Sequence, residues 1–501
     1  PPYSPYRQRC LMKEVFVSDT RVDSNSRYEP EGISTKSPPG SSSTMKRTLG
    51  TGAIVFMVVA AAAPLTAATG VLPLSILFSE NSAAPFYYVI AMAILCVFVV
   101  GYNELSKHIR NVGGFYSYIE RGLGRVPGNA SAMLALGAYA LTVVALTVYA
   151  GPFVTKLVGT FTGWQDSPWW LWSLVFWALI AFLGYRDIDL SSKVLGVLLI
   201  LEALALLVLD IAILSQGGAE GVTAAPVNPV EAMTHGSPAS GIMWAALCFV
   251  GFEATAVFRN EAKNPEKTVP RATYLAVFSV GILYLFTSFS IVIGAGSENV
   301  VGFLSADPNA GVFVLGSEFI SPVYSNIVNV LLVGSVFACA LSFHNVVSRY
   351  KMAMGQSGLL PAYFGKVHVR HGVPSNASAV LSGLVLVGVI VSAVLNLDPV
   401  TGVFAPLVGV LGFAVLALMA LTSLAVIFYF NSRPTLKVSI FVRIIAPVLA
   451  ILGLGFVLIL SFTNIDVITG SSGASIFAIT LMVGLPLTGA LLSLRKTRIR
   501  E

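Results

Sequence analysis

Two glutamates of this chain lie inside apolar stretches, where a charged side chain is costly. Glu253 follows Gly251 and Phe252 in FVGFEATAVFRNEAKNPEKTVPRA, and Glu202 lies in LSSKVLGVLLILEALALLVLDIAIL. Removal from water favours the neutral form of a carboxylic acid, so such a residue can bind and release a proton near neutral pH. Proton coupling or gating is one hypothesis for both residues. The other is that each carboxylate is a structural brace, bonded to freed backbone or to a hydroxyl of a neighbouring helix.

The composition is that of a membrane protein. Of 501 residues, 55% are hydrophobic and 11% are charged, against roughly 25% charged in soluble domains, and the mean hydropathy is +0.81. The four cysteines have unrelated spacings, so we predict neither a disulfide framework nor a metal site; they are Cys10, Cys96, Cys248 and Cys339.

Apolar stretches long enough to cross a bilayer, about 20 residues each, predict an all-α protein with about twelve spans. The predicted spans are 49–79, 84–106, 128–158, 168–184, 190–214, 239–262, 272–295, 322–350, 376–396, 400–430, 440–461 and 474–494. Within span 5, Asp210 falls on roughly the same side of the helix as Glu202, and we expect it at the outer interface.

Basic residues alternate between the loops. They collect before span 1 and after each even-numbered span, whereas the opposite loops hold Lys156 and several acids. Because Lys and Arg collect on the cytoplasmic side, both termini are predicted to be cytoplasmic and the location to be the plasma or inner membrane. The net charge of +6 is thus a topology signal, and the predicted partners are the lipid bilayer and a small-molecule substrate, with no nucleic acid.

The chain divides into three predicted regions. Residues 1–44, rich in Pro and Ser and without an apolar stretch, predict a disordered cytoplasmic extension. Residues 45–430 would form a ten-helix core, and residues 431–501 two accessory helices with a basic cytoplasmic C-terminus.

Spans 1 and 6 both carry helix breakers near their midpoints. Span 1 has Pro64 after four alanines, and span 6 has Gly251 within FVGFE. These spans are five apart and therefore enter the membrane from opposite sides, which is typical of an inverted repeat with a substrate site at the midplane. The alternative is that Pro and Gly only kink these helices.

Three motifs resemble those of amino acid–polyamine–organocation permeases. They are GFEATAVFRNEAKNPEKTVPRATY (251–274), YNELSKHIRNVGGFYSYIERGLG (102–124) and SRYKMAMGQSGLLP (348–361). The resemblance implies a LeuT-type fold with a 5+5 inverted repeat, discontinuous helices 1 and 6, and transport of amino acids or amines by alternating access. It implies a substrate site at the two breaks, formed by Ala62, Ala63, Pro64, Leu65, Thr66, Phe249, Val250, Gly251 and Phe252.

The sequence departs from that family in span 1. Many relatives have a Gly-x-Gly-Ile-Phe turn whose N–H groups hold the substrate carboxylate, whereas this chain has AAAAPLTAATG. In several sodium-independent relatives a lysine occupies the position at which this chain has Glu202, and exchangers of arginine and agmatine have a glutamate that matches Glu253. Sodium is a less favoured partner than the proton; its expected ligands would include Ser335 and Ser342 of span 8.

No enzyme motif or cofactor site is predicted. The chain has no phosphate-binding Gly-Lys-Ser/Thr loop, no His-Glu-x-x-His and no Gly-x-Ser-x-Gly. A channel is a further alternative, but regular rings of polar residues are missing. The predicted site is aromatic and largely uncharged, with Trp244, Phe249, Phe252, Phe258, Tyr139 and Tyr149 near it. A zwitterionic amino acid would need no compensating side-chain charge there, and because aromatic rings also bind cations, a polyamine or another organic amine is the alternative.

Overall fold

The computed structural model describes residues 50–109, 114–186, 192–253, 255, 262–366, 374–466 and 472–498. The predicted extension 1–44 lies outside the described residues. Within the described part of the chain the regular structure is helical, without a strand. A compact unit covers Lys46–Glu501. The division into a core of residues 45–430 and two accessory helices stays a prediction.

The helices of the first half of the chain include two short helices between spans. The helices are α1 (Thr51–Ala61), α2 (Pro64–Gly70), α3 (Leu72–Leu77), α4 (Pro85–His108), α5 (Phe115–Leu123), α6 (Arg125–Thr162), α7 (Trp169–Tyr185), α8 (Ser192–Gln216), α9 (Pro229–Thr234) and α10 (Pro238–Leu247). The sequence analysis did not anticipate α5 and α9.

The second half of the chain contains longer helices. They are α11 (Pro265–Ala295), α12 (Val300–Ala306), α13 (Ala310–Phe319), α14 (Pro322–Ser357), α15 (Ser375–Val394), α16 (Ala405–Asn431), α17 (Ala446–Thr463) and α18 (Ser472–Arg498). Wider π-helical turns, Pro399–Phe404 and Phe441–Ile445, lead into α16 and α17. Helices α12 and α13 form a bent pair with an angle of 109°, which the sequence analysis did not predict.

Nine of the predicted spans coincide with described helices that are long and apolar enough to cross a membrane. The other three are shorter or broken: α7 has 17 residues, span 1 is divided into α1 to α3, and the described helix in span 6, α10, has only ten residues. The count of twelve and the 5+5 repeat stay predictions.

Helix α6 lies at the centre of the packing. It has 38 residues and contacts α14, α16, α18, α7 and α5. Its sequence is rich in Ala, Gly and Val, and small side chains allow helices to approach closely in a membrane. Most of its middle section is buried, so it can present side chains to a site enclosed by its neighbours.

The predicted break in span 1 is confirmed. Helix α1 ends at Ala61, and Ala63 adopts φ 45° and ψ 70°, in the left-handed region. Proline disfavours the helical conformation in the residue before it, so Pro64 forces Ala63 out of the helix. Pro64 then begins α2, where its missing N–H costs no hydrogen bond. The break is thus set by one local pair of residues.

The break in span 6 follows α10. From Cys248 to Phe252 the chain continues in tight turns, in which Phe249 N–H donates to the Ala246 carbonyl at 3.2 Å and Val250 N–H to the Leu247 carbonyl at 3.1 Å. Gly251 has φ 115°, which residues with a side chain rarely adopt. The turns and Gly251 end the helix inside the apolar stretch.

We expect Ala63→Gly to leave stability unchanged or raise it slightly. The left-handed conformation costs a non-glycine residue about 1–2 kcal/mol, which offsets the greater backbone entropy that glycine loses on folding. The control is Ala178→Gly in the lipid-exposed middle of α7, which should lower stability by about 1 kcal/mol. Thermal unfolding of the purified protein tests both; equal losses would contradict the strained conformation of Ala63.

Candidate functional site

Residues of the two helix breaks line part of a small central cavity of about 60 Å³. Helices α6, α14 and α16 complete its wall. The lining residues are Ala62, Ala63, Thr66, Ala67, Val71, Thr142, Leu146, Leu247, Cys248, Val250, Cys339, Phe343, Phe404, Val408 and Leu411. Among the described residues, the lining is apolar apart from two threonines and two thiols and includes no charged side chain. We refer to it as the central cavity.

Four of the substrate-site residues predicted from the sequence line this cavity: Ala62, Ala63, Thr66 and Val250. The others lie at the breaks without lining it. Phe249 packs against Tyr284, with ring centroids 6.5 Å apart, and Phe252 contacts the ring of Phe98 at 6.1 Å. Pro64 and Leu65 are buried, and Gly251 is partly buried. The predicted positions therefore divide between the cavity wall and the packing behind it.

The aromatic residues that line the cavity differ from those that the sequence analysis expected around the site. Trp244 is buried against Phe78, and Phe258 lies outside the described residues. Phe343 and Phe404 line the cavity instead. Sequence reasoning missed these two because α14 and the turn before α16 approach the breaks only through long-range packing.

Glu202 binds the beginning of α2. The Leu65 N–H donates to Glu202 Oε2 at 3.1 Å, and Glu202 is 2% exposed. Because Pro64 has no N–H, Leu65 provides the first backbone donor of this half-helix, and an anion is favoured at a helix N-terminus. Glu202 therefore satisfies a backbone group that the break would leave unbonded in an apolar environment.

Two hydroxyl groups extend this contact toward α14. Ser335 also hydrogen-bonds Glu202, and Thr66 Oγ1 donates to Ser335 Oγ at 2.9 Å. The cluster joins α2, α8 and α14. Of the two serines considered for sodium, Ser335 belongs to this cluster, whereas Ser342 is exposed. The described residues contain no group of three or more His, Cys, Asp or Glu side chains that could hold a metal ion.

Glu253 has the corresponding position at the second break. The Gly251 N–H donates to Glu253 Oε2 at 2.8 Å, and the Tyr139 hydroxyl donates to Oε1 at 3.4 Å. The Tyr102 hydroxyl donates to the Glu253 backbone carbonyl at 2.9 Å. Glu253 thus bonds freed backbone at its own break and ties the break to α6 and α4.

Asp210, expected at the outer interface of the membrane, packs between two helices, and its depth in the membrane stays a prediction. It is fully buried, and its Oδ2 accepts a hydrogen bond from Thr287 Oγ1 on α11 at 2.9 Å. The hydroxyl of Thr287 satisfies one carboxylate oxygen, which is why the packing between α8 and α11 tolerates this acid. Asp210 contacts neither helix break.

Aromatic side chains close the central cavity on the side where α6 ends. The charge pattern predicts that this side is extracellular. Tyr149 stacks on Phe404 with ring centroids 4.2 Å apart. Its hydroxyl lies 3.1 Å from Thr69 Oγ1 and 3.0 Å from Asn309 Oδ1. A Cβ on Gly70 would lie 2.9 Å from the Phe404 ring, so this closure requires a glycine there.

A structure comparison defines the fold. A crystal structure of MhsT in complex with L-phenylalanine matches 81% of this chain and 98% of that chain, with a TM-score of 0.57 and 15% sequence identity. The chain therefore has the LeuT-type fold of membrane transporters.

The sequence comparison defines the family. The amino acid permease family model matches residues 54–501, so the chain belongs to the amino acid permease family. The low-affinity putrescine importer PlaP of Escherichia coli K12 is 21% identical over 329 residues, 63% of this chain and 67% of the relative. The branched-chain amino acid permease BcaP of Lactococcus lactis is 26% identical over 312 residues, 58% of this chain and 64% of the relative. The chain thus spans about two thirds of the length of these relatives.

We expect Gly251→Leu to lower uptake at least tenfold while the protein still reaches the membrane. A leucine cannot adopt φ 115° without strain, so the break and its bond to Glu253 would be lost. The measurement is uptake of a mixture of labelled amino acids by proteoliposomes. Gly383→Leu is the matched control because Gly383 lies in α15 with open space around its Cβ position. Equal uptake by both variants would show that Gly251 has no role in the site.

Proposed function

We propose that the protein is a secondary transporter that moves neutral, apolar amino acids by alternating access. The observation that carries this proposal is the apolar, uncharged central cavity between the two helix breaks. A zwitterion needs no compensating side-chain charge there, because backbone groups at the breaks can bind both of its charged groups. The apolar wall would accept an aliphatic or aromatic side chain.

The first break offers a place for the substrate carboxylate. Thr66 lines the cavity in the first turn of α2, and the structure shows no acceptor for its backbone N–H among the described residues. Of these two backbone N–H groups, Glu202 accepts a hydrogen bond only from the preceding one, that of Leu65. A helix N-terminus with a remaining donor favours an anion. We assign the carboxylate to this position.

The second break offers a place for the substrate ammonium group. Helix α10 ends at Leu247, so the carbonyl groups of Cys248 and Val250 lie outside a regular helix, and both residues line the cavity. Carbonyl oxygens are suitable acceptors for an ammonium group. The two breaks would thus bind the two charges of one amino acid across the cavity.

The present size of the cavity supports alternating access. A volume of about 60 Å³ is well below the range of about 300–1,000 Å³ that small-molecule sites occupy. An amino acid could enter only if side chains of the lining moved apart. We infer that the structure represents a constricted state of the transport cycle, with the stack of Tyr149 on Phe404 closing one side.

Location and orientation are part of the proposal. The distribution of Lys and Arg supports a plasma or inner membrane protein with both termini in the cytoplasm. In this orientation α6 begins and α14 ends on the cytoplasmic side. The closed Tyr149 side then faces the exterior.

A diamine is the second candidate because a relative, PlaP, is a putrescine importer. A diamine has two cationic groups and no carboxylate. The described residues in the wall of the central cavity include no acidic side chain, while Glu202 and Glu253 are bonded to backbone N–H groups. The observed lining therefore supports the amino acid over the diamine.

We expect L-leucine and L-phenylalanine to stabilise the purified protein against heat, and putrescine and L-leucinol not to. Leucinol lacks the carboxylate that the first break would bind. A ligand at 100 times its dissociation constant stabilises the folded state by about 2.7 kcal/mol, which a thermal-shift assay detects. Stabilisation by putrescine alone would reverse the assignment. Transient accumulation of labelled leucine in counterflow would distinguish this carrier from a channel.

We further propose that Glu202 and Glu253 couple transport to protons. Glu202 joins α2, α8 and α14 through a carboxylate that accepts hydrogen bonds. Protonation would weaken its attraction to the N-terminus of α2 and free that half-helix to move. Sodium coupling through Ser335 is the less favoured alternative.

We expect Glu202→Gln to lose accumulation driven by a pH gradient and to retain exchange of substrate, because glutamine imitates the neutral acid but cannot release a proton. Glu253→Gln should instead flatten the pH dependence of uptake while transport stays measurable. The measurement is leucine uptake by proteoliposomes at mildly acidic and mildly alkaline pH, with and without an imposed gradient.

Asp210→Asn is the matched control, since Asp210 is an equally buried acid away from both breaks. It should keep the gradient response. If both glutamate variants also keep wild-type responses, the two carboxylates are structural braces and proton coupling at these residues is wrong.

A further inference from the structure

A second, larger cavity lies between α5, the beginning of α6 and the end of α14. Its volume is about 270 Å³, close to the lower limit of about 300 Å³ for small-molecule sites. The lining residues are Tyr116, Glu120, Arg125, Asn129, Ala132, Ala353, Met354, Ser357 and Leu359. None of these residues lines the central cavity. We refer to it as the end cavity.

The end cavity is polar and carries charges of both signs. Glu120 and Arg125 are exposed in its wall, and neither forms a salt bridge with a described residue. Asn129 and Ser357 add neutral groups that can donate or accept hydrogen bonds. The cavity therefore differs from the central cavity, whose wall is uncharged.

The helix ends reinforce this separation of charge. Helix α6 begins at Arg125, and the N-terminus of a helix favours an anion. Helix α14 ends at Ser357, where Gly358 terminates it in the left-handed conformation, and the C-terminus of a helix favours a cation. A ligand with one carboxylate and one ammonium group fits a cavity bounded by both ends.

The wall formed by α5 and α6 is closely packed. A Cβ placed on Gly128 would lie 2.5 Å from the Cβ of Glu120, so only glycine allows this contact. The backbones that carry Glu120 and Arg125 are thus held together by direct packing. This packing fixes the backbone positions from which the two charged side chains extend into the end cavity.

A continuous series of aromatic contacts joins the two cavities. Phe343 lines the central cavity and contacts Tyr139 with ring centroids 5.5 Å apart. Tyr139 contacts Tyr350 at 6.1 Å, and Tyr350 contacts Tyr116, which lines the end cavity, at 5.3 Å. We refer to these four residues as the aromatic series. Tyr139 also donates to Glu253, so the series is bonded to the second break.

We propose that the end cavity is a second binding site for a zwitterionic amino acid, on the cytoplasmic side of the barrier formed by the aromatic series. Arg125 would bind the carboxylate and Glu120 the ammonium group. The proposal rests on the proposed function, because it takes the ligand to be the transported amino acid. Substrate would occupy the end cavity after leaving, or before entering, the central cavity.

The test is the number of L-leucine molecules bound per chain, measured by equilibrium dialysis of the full-length purified protein with labelled leucine up to millimolar concentration. We expect wild type to bind two, with separable affinities. Arg125→Gln and Glu120→Gln should each lose the weaker site. Arg121→Gln, a change of the same type on the exposed surface of α5 outside the cavity, should keep both sites.

Gly251→Leu distinguishes the two sites because it removes the central site. This variant should bind one leucine per chain, and adding Arg125→Gln to it should abolish that remaining binding. Binding of one leucine by wild type, unchanged in Arg125→Gln and Glu120→Gln but lost in Gly251→Leu, would overturn the second site and leave the proposed function standing. Binding that depends on Arg125 and is unaffected by Gly251→Leu would overturn the central site instead.

Discussion

The main constraint on this molecule is that backbone N–H and C=O groups freed at a helix break inside an apolar bundle must find a hydrogen-bond partner. The bond between the Glu202 carboxylate and the Leu65 N–H meets this constraint at the first break. The second break meets the same constraint when Glu253 accepts from the Gly251 N–H. Each break therefore has an acid beside it. Without these acids, the two half-helices would expose polar backbone to a water-poor interior, and the breaks that form the cavity would be costly.

The placement of the acids also explains why the central cavity is uncharged. Both carboxylates point to backbone donors rather than into the cavity wall, which consists of alanine, valine, leucine, phenylalanine, threonine and cysteine side chains. In the proposed function, the wall would contact the side chain of the substrate, and the backbone at the breaks would bind its charged groups.

The same bonds connect elements that alternating access, as proposed, would move relative to one another. Glu202 and Ser335 join α2 to α8 and α14, whereas Glu253 and Tyr139 join the second break to α6. Tyr149 closes one side of the cavity, and Tyr139 belongs to the aromatic series on the other. Because both tyrosines belong to α6, one buried helix supports the closures at both ends.

The sequence by itself determined the membrane-spanning class, nine of the spans, and the two breaks, because hydropathy, the Pro64 constraint on Ala63 and the glycine at 251 act locally along the chain. It also singled out Glu202 and Glu253, since an acid in an apolar stretch is conspicuous. Only the tertiary structure decided their partners and brought Phe343 and Phe404 to the cavity while Phe249 and Phe252 turned away. Those contacts join residues far apart in sequence, and an apolar helix without a polar face gives no pattern from which its orientation can be read.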